Sequence, residues 1–229
     1  QVARRDRVVG QCLLTIATFS FFCLPFITQL PTIADRNLGI DPDTIGYGLL
    51  YGCFGTGAVL GALSIGTVFA RRDKATLTRV GLLGFATMVT VFGTVRAAWL
   101  AYGVIVVLGA VYFAVITSLA TVLQQDLDNA VRGKVMALWI MGFGGVVPFG
   151  GLVGGYVIEH IDIGAMFAIS AVVAVALAWR ADLRATRPSG ALGIAPALRL
   201  RESDPPHLRA LFGVVVERLV YELRGIPCL

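Results

Sequence analysis

The feature that most constrains this sequence is the placement of its charges, because long stretches contain none. Charged residues make up 14% of the 229 residues, against about a quarter in a soluble domain, and 57% of the residues are hydrophobic. The uncharged runs cover residues 8–30, 44–70, 80–95, 97–125, 135–158 and 163–179. Four of them exceed the ~20 residues that cross a bilayer as a helix, and the shorter two reach that length if Arg79 and Arg180 extend to the headgroups. The sequence therefore predicts an all-α membrane protein with six transmembrane helices, and it excludes a soluble or a disordered protein.

Lysine and arginine residues predict which way these spans run. If the N-terminus is cytoplasmic, only Arg36 and Arg96 of the 19 basic residues lie on the outer side. Several tryptophans and tyrosines fall near span ends, at the depth that amphipathic rings favour. We therefore expect both termini on the cytoplasmic side and a lipid bilayer as the main partner. The net charge of +5 belongs to this topology and does not indicate nucleic-acid binding.

Glycine is concentrated in the second and fifth spans. The positions are Gly48-x-x-x-Gly52 and Gly57-x-x-x-Gly61 in the second span, and Gly150, Gly151, Gly154 and Gly155 after Pro148 in the fifth. In lipid, such small-residue patterns let helix backbones approach closely. Two interpretations stay open, namely tight packing within the bundle and a surface that moves against another bundle. Since the Gly-rich helix is the middle member of each triplet of spans, the pattern also predicts a 3+3 inverted repeat, a construction typical of secondary transporters.

Polar residues follow one face of the first span and one stripe of the fourth. In the first span the face has six members, because Pro25 lies between Phe22 and Gln29, and they are separated by 4, 3, 4, 3 and 4 residues, which is helical spacing. Pro25 is expected to kink this helix. Hydroxyl groups often bond to carbonyls of their own helix, whereas a glutamine amide is not satisfied that way. Because a polar face avoids lipid, we interpret these residues as lining a substrate cavity. They are Gln11, Thr15, Thr18, Phe22 and Gln29 in the first span, and Thr117, Thr121 and Gln124 in the fourth.

Signatures of catalysis and metal binding are missing from the sequence. Both histidines, His160 and His207, lie outside the spans, and no cysteine spacing suggests zinc or a disulfide framework. The run Arg132-Gly133-Lys134 lacks the glycine and hydroxyl positions of a phosphate-binding loop. We therefore expect no enzymatic activity, no metal and no cofactor.

The sequence divides into two regions. Residues 1–184 form the predicted six-span bundle, and residues 185–229 are predicted to be a cytoplasmic linker with several prolines, followed by an amphipathic helix. Because the chain opens with Gln1 and runs at once into a span, we expect that it starts partway through a longer protein.

Three stretches resemble a known family. Residues 46–63 are dense in glycine and precede Arg71-Arg72-Asp73-Lys74, residues 124–136 contain Arg132-Gly133, and residues 148–155 hold the proline and glycines of the fifth span. They resemble the C-terminal six-helix half of the major facilitator superfamily, in its bacterial drug-efflux and siderophore-export branch, the transmembrane secretion effectors. The resemblance covers about residues 8–182, and the run around Arg132-Gly133 is its most specific part.

This resemblance implies a twelve-span transporter in a bacterial inner (plasma) membrane, with this chain as its second half. Such a protein moves a small-molecule substrate by alternating access, here the export of amphiphilic molecules. The first and fourth spans would line the cavity, the second and fifth would face the missing N-terminal six-helix half, and the third and sixth would be peripheral. The alternatives are a six-span membrane scaffold or assembly protein, and an inactive fragment of a transporter.

The resemblance also implies roles for individual residues. The glycines expected to pack between the two halves are Gly48, Gly52, Gly57, Gly61, Gly150, Gly151, Gly154 and Gly155. The residues expected to form cytoplasmic loop motifs are Arg71, Arg72, Asp126, Arg132 and Gly133. Where the superfamily's motif carries an aspartate before its arginine, this sequence has Ala70, so the salt bridge of that motif is not expected.

Overall fold

The described part of the chain is helical. A computed structural model describes residues 2–125 and 129–180. Its helices are α1 (Val2–Cys23), α2 (Pro25–Thr28), α3 (Leu30–Leu38), α4 (Ile45–Gly66), α5 (Lys74–Thr94), α6 (Ala98–Gln125), α7 (Asn129–Ile140), a π-helical segment (Met141–Gly145), α8 (Val147–His160) and α9 (Ile163–Arg180). The predicted linker and amphipathic helix at 185–229 lie outside the described residues.

Six segments of the described ranges are long and apolar enough to cross a membrane. They are Val9–Thr28, Ile45–Gly66, Lys74–Thr94, Ala98–Gln124, Arg132–His160 and Ile163–Arg180. We refer to them as the first to sixth spans. The prediction of an all-α protein with six membrane-spanning helices is thereby confirmed.

Two of the spans are interrupted. The first breaks at Leu24, because Pro25 has no N–H to donate to the preceding turn, and again at Gln29, whose backbone leaves the helical region. The fifth contains the π-helical segment Met141–Gly145, and Pro148 lies in the first turn of α8, where a proline costs no hydrogen bond. Short π-helical turns inside α-helices are frequently found at functional sites.

The spans pair across the two triplets through glycines. A Cβ atom added at Gly57 would overlap the carbonyl oxygen of Val106, and one added at Gly61 would overlap that of Ala110, so the second span packs directly on the fourth. In the same way, the fifth span packs on the first. Gly150 lies against the carbonyl oxygen of Phe21, and Gly154 lies against Pro25. In both pairs the residue numbers rise together, so the two helices of each pair run parallel.

The third span packs against both the fourth span and the sixth span. Gly81 packs on Val115 and Gly84 on Val111, so the third and fourth spans run antiparallel. At one end of the third span the Nε of Arg79 donates to the carbonyl of Ala178, 3.0 Å away. At the other end, the rings of Phe92 and Phe167 meet edge to face, with centroids 5.9 Å apart, so the third and sixth spans are antiparallel as well.

An aromatic cluster occupies the centre of the bundle. Five rings from the first four spans meet there, and they belong to Phe19, Phe26, Phe54, Phe85 and Tyr112. All five side chains are buried. Since lipid supplies no hydrophobic force between helices, close packing of this kind is what holds the spans together.

Candidate functional site

Gln29 joins the first span to the fifth. Its Nε2 donates to the carbonyl oxygen of Gly151 over 3.1 Å. A Cβ atom at Gly155 would come within 3.0 Å of the same Nε2, so the two glycines make the room in which the amide fits. A glutamine predicted from its helical spacing is therefore satisfied across a helix–helix contact.

A cavity of about 550 Å³ opens beside this contact. Gln29 and Thr28 line it from the first span, and Tyr156 and Glu159 line it from the fifth. Tyr156 and Glu159 were not predicted from the sequence. The signal that could have found them is the spacing of Pro148, Leu152, Gly155 and Glu159, which are 4, 3 and 4 residues apart on one helix face, with Tyr156 four residues after Leu152.

The other predicted residues of the first span differ in exposure. Thr15 is 5% exposed and packs inside the bundle, because it lies at the inner edge of the predicted face. Thr18 and Phe22 are half-buried, while the neighbouring Leu14 is 68% exposed. Gln11 is half-buried, and its Oε1 is enclosed without a hydrogen-bond partner among the described residues. The exposed surface of the first span therefore begins at the edge of its polar face.

The polar residues of the fourth span lie toward its C-terminal end. The Oγ1 of Thr121 donates to the carbonyl of Thr117 over 2.6 Å, so this hydroxyl is satisfied within its own helix. Thr117 and Thr121 are half-buried and Gln124 is exposed. Ser118, on the inner side, is fully buried, and its Oγ has no hydrogen-bond partner in the described ranges.

The two glycine motifs of the second span lie on different faces. Gly57 and Gly61 contact the fourth span, whereas Gly48 and Gly52 are exposed, with nothing within 4 Å of an added Cβ atom. The four glycines of the fifth span that were predicted to pack between halves all contact the first span, and they are Gly150, Gly151, Gly154 and Gly155. Tight packing within the bundle therefore describes six of the eight positions, and Gly48 and Gly52 are left on an open surface.

The loop between the second and third spans is held by Lys74, for which the sequence indicated no role of its own. The Nζ of Lys74 donates to the carbonyls of Ile65, Phe69 and Ala70 at 3.0, 2.6 and 3.3 Å, and the side chain is only 9% exposed. A cation is stabilising at a helix C-terminus, where the last carbonyls lack partners. Asp73 begins the next helix by accepting from the backbone N–H of Thr76.

The predicted loop-motif residues lie on the surface. Arg71, Arg72, Arg132 and Gly133 are exposed. Asp126 lies outside the described residues. Over residues 2–125 and 129–180, no group of three or more His, Cys, Asp or Glu is placed to hold a metal ion.

Comparison with known families agrees with this architecture. A sequence model of the transmembrane secretion effectors, a family of the major facilitator superfamily, matches residues 2–214. The chain belongs to this family. No match was found among curated proteins or among solved structures.

Membership has direct consequences. A transmembrane secretion effector is a transporter of the major facilitator superfamily, a class that is generally not enzymatic. Together with the six apolar spans, it makes this chain a multi-pass membrane protein with transmembrane helices in contact with lipid.

Proposed function

We propose that this chain is the C-terminal half of a secondary active transporter that exports small amphiphilic molecules by alternating access. In this mechanism one six-helix bundle rocks against a second one around a cavity near the middle of the membrane. The N-terminal six-helix half would come from the same protein or from a separate chain.

The observation that carries the proposal is the crossed pairing of the spans. Suppose that the first, second and third spans are exchanged with the fourth, fifth and sixth, in that order. The pair formed by the second and fourth spans then becomes the pair formed by the fifth and first spans. Both pairs are present in the structure, and both are parallel. The same exchange leaves the pairing of third with sixth unchanged. This is the arrangement expected of a 3+3 inverted repeat, which many secondary transporters share.

The cavity of this transporter would lie along the polar edges of the first and fourth spans. The exposed or half-buried residues there are Gln11, Thr18, Phe22, Thr117, Thr121 and Gln124, and Gln29 lines the cavity beside the fifth span. The enclosed Oε1 of Gln11 needs a donor, since an unpaired buried acceptor costs about 1–3 kcal/mol. Water or a substrate group in the cavity would supply it.

The N-terminal six-helix half would cover the open face of the second span. Gly48 and Gly52 present bare backbone there, which suits close approach by another helix. We place the protein in a bacterial inner membrane with both termini in the cytoplasm, because 17 of the 19 basic residues then lie inside, all but Arg36 and Arg96.

Export by cells tests the proposal. In cells that express the full reading frame containing this chain, we expect lower accumulation of a fluorescent amphiphile than in cells lacking it. Gln11→Leu and Gln29→Leu should each lower export several-fold at an unchanged amount of protein in the membrane. The matched control is Thr94→Val, because Thr94 is exposed and its hydroxyl is satisfied by the carbonyl of Val91, 2.8 Å away.

Each outcome is informative. Export that is unchanged in both glutamine variants removes Gln11 and Gln29 from the transport path. Cationic, neutral and anionic amphiphiles should all be tried. If expression leaves the accumulation of every one of them unchanged, the export proposal is overturned and a membrane scaffold becomes the better account.

A further inference from the structure

A groove lies between the third and sixth spans. Its volume is about 530 Å³. Small side chains form its floor, among them Ala86 and Ala171, and exposed residues such as Val91 and Val172 form its walls. It is separate from the cavity beside Gln29 and shares no lining residue with it.

The chemistry of the groove admits hydrocarbon and little else. Its two threonines are satisfied by their own helix, because Thr87 Oγ1 donates to the carbonyl of Leu83 at 3.0 Å and Thr90 Oγ1 donates to that of Ala86 at 2.8 Å. The other lining side chains are aliphatic. A polar ligand would therefore lose its hydration without gaining a comparable partner.

The dimensions suit a single acyl chain. A methylene group is close in size to a water molecule, which takes about 30 Å³ in the liquid, so the groove has room for about 18 such groups. Along the third span the lining residues run from Leu83 to Val91, about 12 Å at ~1.5 Å per residue, and Arg79 lies about 6 Å beyond Leu83. From Arg79 to Val91 this length compares with the ~15 Å of one leaflet of a hydrocarbon core that is ~30 Å thick.

One end of the groove is basic. Arg79 reaches across to the sixth span at Ala178, and Arg180 is exposed in the last turn of that span. The other end has mixed charge. Arg96 there donates to the carbonyls of Gly93 and Val95, and the carboxylate of Asp162 precedes the sixth span. A phosphate headgroup is therefore favoured at the Arg79 and Arg180 end.

We propose that this groove binds one acyl chain of an anionic phospholipid, with its phosphate held by Arg79 and Arg180. The occupant is a bilayer lipid, and it lies away from the transport path. The proposal does not depend on what the protein transports.

Lipid titration of the purified chain, followed by native mass spectrometry, tests the proposal. Phosphatidylglycerol and phosphatidylcholine with the same acyl chains are the two probes. We expect one tightly bound phosphatidylglycerol and weaker binding of phosphatidylcholine. Ala171→Leu should weaken phosphatidylglycerol binding about tenfold, since it excludes about two methylene groups from the groove. Arg180→Gln should reduce the preference for phosphatidylglycerol, because it weakens binding of the anionic headgroup more than that of phosphatidylcholine, whose choline already neutralises the phosphate charge.

The matched control is Ala176→Leu, an equal addition at an exposed position of the same helix outside the groove, and it should leave binding unchanged. Thr87→Leu fills the groove from the third span at an exposed position, so it repeats the test if Ala171→Leu does not fold. Wild-type binding without headgroup preference, or equal binding by the groove-filling and control variants, overturns the proposal. A change in oligomeric mass with no change in bound lipid would instead assign the groove to a second copy of the chain.

Discussion

Positions 57 and 61 require glycine because the fourth span passes directly over them. The carbonyl oxygens of Val106 and Ala110 occupy the positions that a Cβ atom would take. Backbone atoms cannot move aside as the end of a flexible side chain can, so the contact tolerates no larger residue. Gly55, nearby on the same helix, has nothing within 4 Å of an added Cβ atom. Neighbouring glycines of one helix therefore have opposite tolerance to substitution.

Gly57→Ala and Gly55→Ala test this contrast. Gly57→Ala should lower the free energy of unfolding by about 1–3 kcal/mol, the usual cost of overpacking. Gly55→Ala should be neutral or stabilising by up to about 1 kcal/mol, because alanine is the better helix former. Unfolding of the purified chain in detergent measures both. Equal losses at the two positions would contradict the packing of the second span on the fourth.

Lys74 is the side chain that holds the loop between the second and third spans. Its ammonium group joins the end of the second span to the start of the third through three carbonyl oxygens. The sequence showed only a basic loop, and which lysine or arginine turns inward depends on where the helix ends come together. Ala70, at the place of the expected motif aspartate, contributes a carbonyl to this contact.

We expect Lys74→Met to destabilise the chain by about 2 kcal/mol, the range for hydrogen bonds to a charged group. The control is Arg72→Met, since Arg72 is exposed and a surface change of this kind costs at most about 0.5 kcal/mol. The same detergent unfolding measurement compares them. If Arg72→Met were the more damaging change, Lys74 would not be the residue that holds the loop.

At the scale of elements, the sequence predicted the spans well and their interruptions only in part. The sixth run, 163–179, coincides with α9 to one residue, because uncharged length alone determines where a helix can lie in lipid. The third span (α5) begins at Lys74, ahead of the run 80–95, since Asp73 caps it and both Lys74 and Arg79 find carbonyl partners. The break at Pro25 follows from proline chemistry. The π-helical segment was not predicted, because a cluster of glycines also fits a continuous helix in tight contact.

The π-helical segment of the fifth span yields a prediction for this element. Gly144 and Gly145 have open space around them, so alanine fits at both and favours a regular helix. If the segment bends during transport, the double variant Gly144→Ala/Gly145→Ala should keep or gain stability and lose export several-fold. Gly103→Ala, also in open space but in the regular helix α6, should leave export unchanged. Full export by the double variant would show that the segment does not act as a hinge.

For the whole molecule, the pattern of uncharged runs was enough to establish a six-span membrane protein, and the family match agrees. Which spans touch could not be read from the sequence, because the same glycine motif serves an internal contact at Gly57 and an open surface at Gly48. The polar face of the first span shows the same difficulty. Gln29 bonds to the fifth span and Thr15 is buried, whereas Thr18 stays at the open edge. Helical spacing places residues on a face but does not say what covers it.

The proposed cavity can be tested directly by measuring which surfaces of the bundle contact water. In a variant whose own cysteines are replaced, single cysteines at Thr18, Gln124 and Val172 are treated with a water-soluble maleimide in permeabilised cells. The proposal predicts rapid labelling at Thr18 and Gln124, which border the cavity. It predicts almost none at Val172, which is 68% exposed and which the proposal places against lipid on the sixth span. Slow labelling at Thr18 and Gln124 with rapid labelling at Val172 would contradict it, because water would then lie on the wrong side of the helices.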